Sequence, residues 1–180
     1  MLFRSDRSVS KILFDINSGG GTVNGVPELA DTIYSCPKET TAFTDGKACS
    51  AAYWLGSQCR RFVATPSATT ASVGVFMAVP DVTKHLEQKG IKMEVFTTGK
   101  YKGAGAMGTS LTDDHRAMFN EDISSVKQGF VDHILRVRKN ANVVMFEGQP
   151  MNAVKAAKNG LITGIAKSRR EVISELQKAG

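Results

Sequence analysis

Apolar and polar residues alternate along this chain in blocks that change period repeatedly. Residues 9–16 carry a short β-branched and apolar run, Ile12-Leu13-Phe14 with Ile16, which predicts a strand. The run stops at Asn17-Ser18-Gly19-Gly20-Gly21. Between residues 23 and 35, Val26, Leu29, Ala30 and Ile33 fall at helical spacing. Residues 40–44 predict a short strand, residues 50 to about 58 a helix, and residues 61–64 a strand halted by Pro66. Residues 67–79 pass from small and hydroxylated to apolar, as a loop entering a strand would. Residues 81–90 predict a helix with Val82 and Leu86 on its apolar face and Gly90 at its end. Ile91, Met93 and Val95 then alternate with Lys92, Glu94 and Phe96, which predicts a further strand.

The second half reads more coarsely. Thr112 is a good cap, Asp113 and Asp114 suit a first turn, and Met118, Ile123, Val126, Phe130, Ile134 and Val137 extend one helix to about residue 138. Residues 143–146 predict a strand, and residues 150–159 a helix closed by Gly160. Residues 161–165 follow, then a basic helix to about residue 178. Strands alternating with helices predict an α/β fold, a mainly parallel sheet flanked by helices. A chain of 180 residues suits one domain, here 1–180, with its core at about 8–166 and a basic terminal helix at 167–180.

Composition narrows the function classes. Apolar content of 42% with 22% charged residues is that of a globular core. No apolar run approaches the roughly 18 residues of a membrane span, and the N-terminus lacks the apolar stretch of a signal peptide, so no membrane anchor is expected in this chain. Cys36, Cys49 and Cys59 are too few for a disulfide framework and suit a reducing, cytoplasmic setting. Their spacing fits no zinc pattern, and His85, His115 and His133 are scattered, so neither a metal nor another cofactor is expected. The net charge of +6 is partly concentrated in Lys155, Lys158, Lys167, Arg169 and Arg170. With no nucleic-acid motif and no interleaved aromatics, this reads as a solvated face rather than a nucleic-acid surface.

Three stretches carry chemistry. Gly46-Lys47-Ala48-Cys49-Ser50-Ala51-Ala52-Tyr53-Trp54 places one serine among small residues at the predicted start of a helix. There it is either a simple cap or a nucleophile beside unpaired N–H groups and the positive helix end. Gly19-Gly20-Gly21 after a strand is either a plain turn or a nest of N–H groups for an anion or oxyanion. It fits neither the dinucleotide nor the P-loop spacing. Gly99-Lys100-Tyr101-Lys102-Gly103 is a glycine-rich loop whose lysines are either solvated or, in one case, a base. His115 and His133 are placed on the long helix away from these motifs, which leaves a Ser-His pair as the weaker catalytic arrangement.

Together these stretches resemble the signal peptide peptidase A and phage protein C family of serine peptidases, with its ClpP/crotonase-like fold. The resemblance runs over about residues 8–166. It rests on Asp15-Ile16-Asn17-Ser18-Gly19-Gly20-Gly21-Thr22-Val23, on Ala48 to Trp54, on Val63-Ala64-Thr65-Pro66-Ser67 with Ala71-Ser72-Val73-Gly74-Val75, and on Gly99-Lys100-Tyr101-Lys102. Met77-Ala78-Val79-Pro80-Asp81 and Leu86 to Ile91 look closer to the phage capsid-assembly branch. The resemblance implies a Ser-Lys peptidase: Ser50 as nucleophile, Lys102 rather than Lys100 as general base, and Ser72 orienting that lysine. It implies oxyanion donation from the backbone of Gly20, Gly21 and Ala51.

The implied substrate is a protein or peptide, with phage scaffold or portal proteins as partners in the bacterial host cytoplasm. Homo-oligomers are also implied, in which Lys102 serves either its own Ser50 or a neighbour's. A signal-peptide-degrading fragment and an inactive scaffold-binding subunit are the alternatives; an acyl-CoA enzyme of crotonase type fits less well. This sequence departs from the pattern at Gly19, where proline is usual, and at Ala51-Ala52, where Gly-Gly is common. The family's first strand and helix are expected ahead of residue 6 and have no counterpart here.

Overall fold

A computed structural model describes residues 4–178. They form two compact units. The first joins the chain up to Gly74 with the chain from Lys127 onward, and the second is Val75–Val126.

The first unit is α/β. Strands β1 (Lys11–Asp15), β2 (Glu39–Thr44), β4 (Arg61–Ala64) and β7 (Gly164–Ile165) form one sheet in the order β1-β2-β4-β7, every pair parallel. Strands β3 (Lys47–Cys49), β5 (Thr69–Ala71) and β6 (Pro150–Asn152) form a smaller sheet, with β3–β5 parallel and β5–β6 antiparallel. The expected mainly parallel sheet is therefore present, divided in two. Helix α1 (Val26–Tyr34) starts after the glycine turn and buries Val26, Ala30 and Ile33, the stripe that its apolar spacing predicts. Helix α2 (Ala51–Ser57) follows β3 with only Ser50 between them.

The core gathers around α2. Tyr53 is fully buried, lies 5.8 Å from the Phe62 ring of β4 and donates its hydroxyl to the Leu161 carbonyl at 2.6 Å. Trp54 stacks on Phe130 at 4.4 Å with planes 6° apart. Phe130 lies on helix α4 (Asp113–Val137), which begins in the second unit and ends in the first. Helix α6 (Arg169–Lys178) adds Val172 to a cluster with Phe43, Val63 and Ala166.

Several predicted elements differ. Pro150–Asn152 is strand, and the helix begins only at α5 (Ala153–Lys158), because the Asn152 side chain accepts from Lys155 N and caps it there. Val143–Met145 is a 3₁₀ turn rather than a strand, held by Asn142 Oδ1 accepting from Val144 N. The strand expected within residues 67–79 is confined to β5, and residues 73–79 lie outside any strand.

In the second unit, helix α3 (Thr83–Gln88) and the first half of α4 are the regular elements among the described residues. Residues 91–97 form no strand and are exposed along their whole length. An alternating pattern signals a strand only when one face has something to bury against; here Lys92 and Met93 are alike in solvent.

Candidate active site

The first unit builds a sharp turn between β3 and α2 with Ser50 at its apex. Ser50 has φ 53° and ψ −126°. These are the angles of the first central residue of a type II′ turn, a place usually held by glycine. Its N–H donates to the Ala71 carbonyl at 2.8 Å, which fixes the serine to the end of β5. Its side chain makes no capping bond to α2. Ser50 thus occupies the cap position without capping, and it is half-buried, with Ala51, the next residue, lining a cleft. Ala51 begins α2, so its N–H has no acceptor within the helix.

The glycine turn lies directly against this serine. Ser18 pairs with β3: its N–H donates to Lys47 O at 2.7 Å, and its carbonyl accepts from Cys49 N at 3.1 Å. Asn17 Oδ1 accepts from Lys47 N at 3.2 Å. These bonds bring Gly20 over the serine so closely that a Cβ on Gly20 would sit 2.6 Å from Ser50 Cβ and 3.1 Å from Ala51 N. With φ at +106°, Gly20 is required twice over, by space and by backbone. Its N–H points to Ser18 Oγ at 3.2 Å. Gly20, Gly21 and Ala51 then line a cleft of about 470 Å³ together with the apolar side chains of Phe14, Leu29, Ile33 and Leu55.

Ser72 directly follows β5 in the same unit. Ala71 and Ser72 both have positive φ, 73° and 56°. Ser72 Oγ donates to Gly148 O at 3.0 Å, and its N–H donates to Gln149 O at 3.2 Å. Ser50, Ala71 and Ser72 are the residues other than glycine with positive φ among those described. Strained backbone of this kind costs about 1–3 kcal/mol per residue and gathers where function demands it.

Lys102 belongs to the second unit. It is exposed in the turn after Gly99, its N–H donating to Gly99 O at 3.0 Å. Its neighbour Lys100 pairs with Asp114 Oδ2 at 2.7 Å, and that bond holds its ammonium above the usual lysine range. Lys100 is therefore kept charged, the wrong state for a base. The structure thus brings Ser50, Ala51, Gly20, Gly21 and Ser72 into one unit and carries Lys102 in the other.

The two helix histidines are nearer the motifs than their spacing in the chain suggests. His115 Nε2 lies 3.1 Å from Lys100 O, and His133 Nδ1 accepts from Trp54 Nε1 at 2.8 Å. The expectation that both lie away from the motifs fails: packing joins His133 to a residue 79 positions away, and His115 meets the lysine loop 15 residues before it. Sequence reasoning also missed Asn17 and Ser18 as the groups that seat the glycine turn. The hint available was their polar character between a strand and three glycines. Among the described residues no cluster of His, Cys, Asp and Glu is arranged to hold a metal ion, and no helix is long and apolar enough to cross a membrane.

Residues 35–179 match the model of Peptidase family S49. The chain belongs to this peptidase family. It is 28% identical over 162 residues to the head-tail preconnector protein GP5 of Enterobacteria phage P21, covering 89% of this chain and 30% of that one. It is 31% identical over 132 residues to capsid assembly protease C of Escherichia phage lambda, covering 72% of this chain and 30% of that one. The putative signal peptide peptidase SppA of Enterococcus faecium is 24% identical, covering 97% of this chain and 52% of its own length. The chain thus spans about a third to a half of the length of these relatives. Two structures of the 1510-N membrane-bound stomatin-specific protease superpose with TM-scores of 0.56 and 0.55 at 11% and 13% identity, each covering 93% of this chain and 69% and 65% of the other. They share its ClpP-like α/β fold.

Proposed function

We propose that this chain is a serine endopeptidase in which Ser50 attacks the scissile carbonyl and Lys102 takes its proton. The observation that carries the reading is the Ser50 turn: a strained, non-capping serine pressed against Gly20, which tolerates no side chain, with Gly20 and Ala51 lining a cleft that has apolar walls. Lysine acts as a base only when neutral, and it suits the task because its ammonium yields its proton readily when desolvated. The Gly21 and Ala51 N–H groups stabilise the oxyanion. Gly20 joins them by exchanging Ser18 Oγ for the substrate oxygen. The acyl-enzyme is then hydrolysed by water that Lys102 activates. Ser72 keeps lone pairs free to orient the lysine, since its hydroxyl proton is spent on Gly148 O. The cleft's apolar wall favours a small or apolar residue on the acyl side of the cut bond.

Protein C and the preconnector protein among its relatives support a phage or prophage setting, with scaffold or portal proteins cut in the host cytoplasm. The preconnector name also supports a second reading, a structural subunit that retains the fold without cleaving. Self-assembly fits the second unit, where Phe76, Phe96 and Met107 are 88%, 92% and 70% exposed. Such apolar exposure on a small unit marks a contact surface, here for further copies of this chain within one assembled particle.

The test is peptide cleavage from pH 6 to 10 by the unaltered chain, by Ser50→Ala and by Lys102→Ala. Loss in both variants, with fold and assembly intact, sustains the Ser-Lys reading, and the pH at which activity rises reports the base. Cleavage surviving both substitutions refutes it. An assembled, inert unaltered chain supports the structural reading.

A further inference from the structure

The mechanism above leaves one buried polar cluster unused, on the face of α2 away from the cleft. Trp54 lies one turn after Ser50, and its N–H donates to the Ser50 carbonyl at 2.8 Å, the first bond of the helix. Its indole is gripped by two residues of α4. Phe130 stacks against it, and His133 meets it edge-on at 5.5 Å while accepting the indole N–H at 2.8 Å. Gln58, at the far end of α2, donates to both the Trp54 and the His133 carbonyls, at 3.2 and 3.0 Å. Every side chain in this group lies in the first unit.

We propose that His133 is a positioning residue for Ser50: its unprotonated Nδ1 holds Trp54, and through Trp54 the first turn of α2, so that proton uptake at His133 slackens the serine turn. The chemistry is direct. Nδ1 accepts a bond only while it carries no proton, which places the imidazole proton on Nε2. In the imidazolium both nitrogens carry protons, and two N–H groups would then oppose each other at 2.8 Å. Trp54 is 3% exposed, so no solvent replaces the lost acceptor.

The surroundings set the direction. From α1, Asp31 faces Nε2 at 3.6 Å, but it is bound by Arg136 Nη1 at 2.5 Å. From α4 itself, Arg136 disfavours a second positive charge and Asp132 favours one; α2 presents no charge. Burial, with Arg136 next, holds the His133 imidazole below its ordinary range, so the accepting form persists until the solution turns acid. Phe130 still grips the ring after protonation, so the effect is a loosening and not a collapse.

The catalytic half of this inference rests on Ser50 being the nucleophile, and its test separates the two. Trp54 is the one tryptophan of the chain, so its emission reports this contact alone. In the unaltered full chain, emission falls with a single transition below pH 6.5, and His133→Gln removes that transition. Hydrogen exchange, corrected for its intrinsic pH dependence, shows the α2 amides losing protection over the same interval in the unaltered chain but not in His133→Gln. Phosphonylation of Ser50 by a fluorophosphonate, in which Oγ displaces fluoride from phosphorus, is measured in both proteins. Their rate ratio cancels the ionisation of the general base, and it falls about five- to ten-fold from pH 7.5 to 5, the worth of one hydrogen bond. Trp54→Phe keeps the stacking, removes the donor and reproduces the pH dependence of His133→Gln.

A transition in emission that survives His133→Gln overturns the proposal. So does a flat rate ratio, or α2 protection that does not follow the titration. If the fluorophosphonate leaves Ser50 unlabelled in the unaltered chain, the nucleophile assignment has failed, and the emission and exchange measurements still decide whether His133 holds α2.

Discussion

At the scale of single residues, the site is defined by backbone that its residue types do not favour. Ser50 sits at φ 53°, where glycine would suit the backbone better, and in the proposed mechanism its hydroxyl is the nucleophile. Ser50→Gly is therefore expected to abolish cleavage while raising stability by about 1 kcal/mol. Relief of about 1–3 kcal/mol of strain is partly offset by glycine's greater freedom in the unfolded chain. Ser50→Ala, which keeps the strain, should abolish cleavage with stability unchanged; urea unfolding of the pair reads the difference. Gly20→Ala is expected to move stability in the opposite direction to Ser50→Gly while also impairing activity. Its Cβ would enter the space of Ser50 Cβ at 2.6 Å, costing about 1–3 kcal/mol in urea unfolding and at least about 10² in acylation rate. Ser50 and Gly20 were legible in the sequence because a lone serine among small residues and a run of glycines are local signals. The positive φ of Ala71 and Ser72 was not, since neither residue type announces it. Nor was the Trp54–His133 bond, which depends on two helices meeting far apart in the chain.

At the scale of elements, α2 is held at both ends. Arg138 is buried, and its guanidinium donates to the Cys59 and Arg60 carbonyls at 2.7 and 3.2 Å just beyond the end of the helix. Asp31 of α1 reaches Arg136 of α4, whose side chain also lies over Tyr34 at 4.2 Å. These ties make the packing of α1, α2 and α4 dependent on pH. His133 is held below its ordinary value of 6.5 by burial, and Asp31 below 3.8 by the Arg136 hydrogen bond. In both cases the unfolded chain binds more protons between the folded and ordinary values, so stability rises with pH and is lost on acidification. We expect the urea midpoint to drop from pH 7 to 5, with His133→Gln flattening that part of the profile and leaving the steeper loss below pH 4. The sequence predicted helices and parallel strands well wherever an apolar stripe had a partner. It erred at residues 91–97, where alternation met no surface, and at residues 143–146 and 150–152, where asparagine side chains decided the local backbone.

At the scale of the whole molecule, the proposed dyad closes either within one chain or between copies. If the dyad is shared between copies, Ser50→Ala and Lys102→Ala proteins, each inert alone, should regain activity when mixed and allowed to exchange subunits. Recovery would approach about a quarter of the unaltered rate for random pairing, since one junction in four then holds both functional groups. If each chain serves itself, the mixture stays inert. Peptide cleavage before and after subunit exchange distinguishes them. The molecule also carries its own means of measuring distance. Its three thiols are buried, and burial raises the Cys49 thiol and lifts Cys59 to about 12, so a maleimide at neutral pH finds no ready partner. One cysteine introduced at Lys100 would take a dye alone, and the single indole beside Ser50 would serve as the energy donor. Transfer efficiency within one chain, and between chains of a mixed particle, would then give the spacing from serine turn to lysine loop with no native residue removed from the serine side.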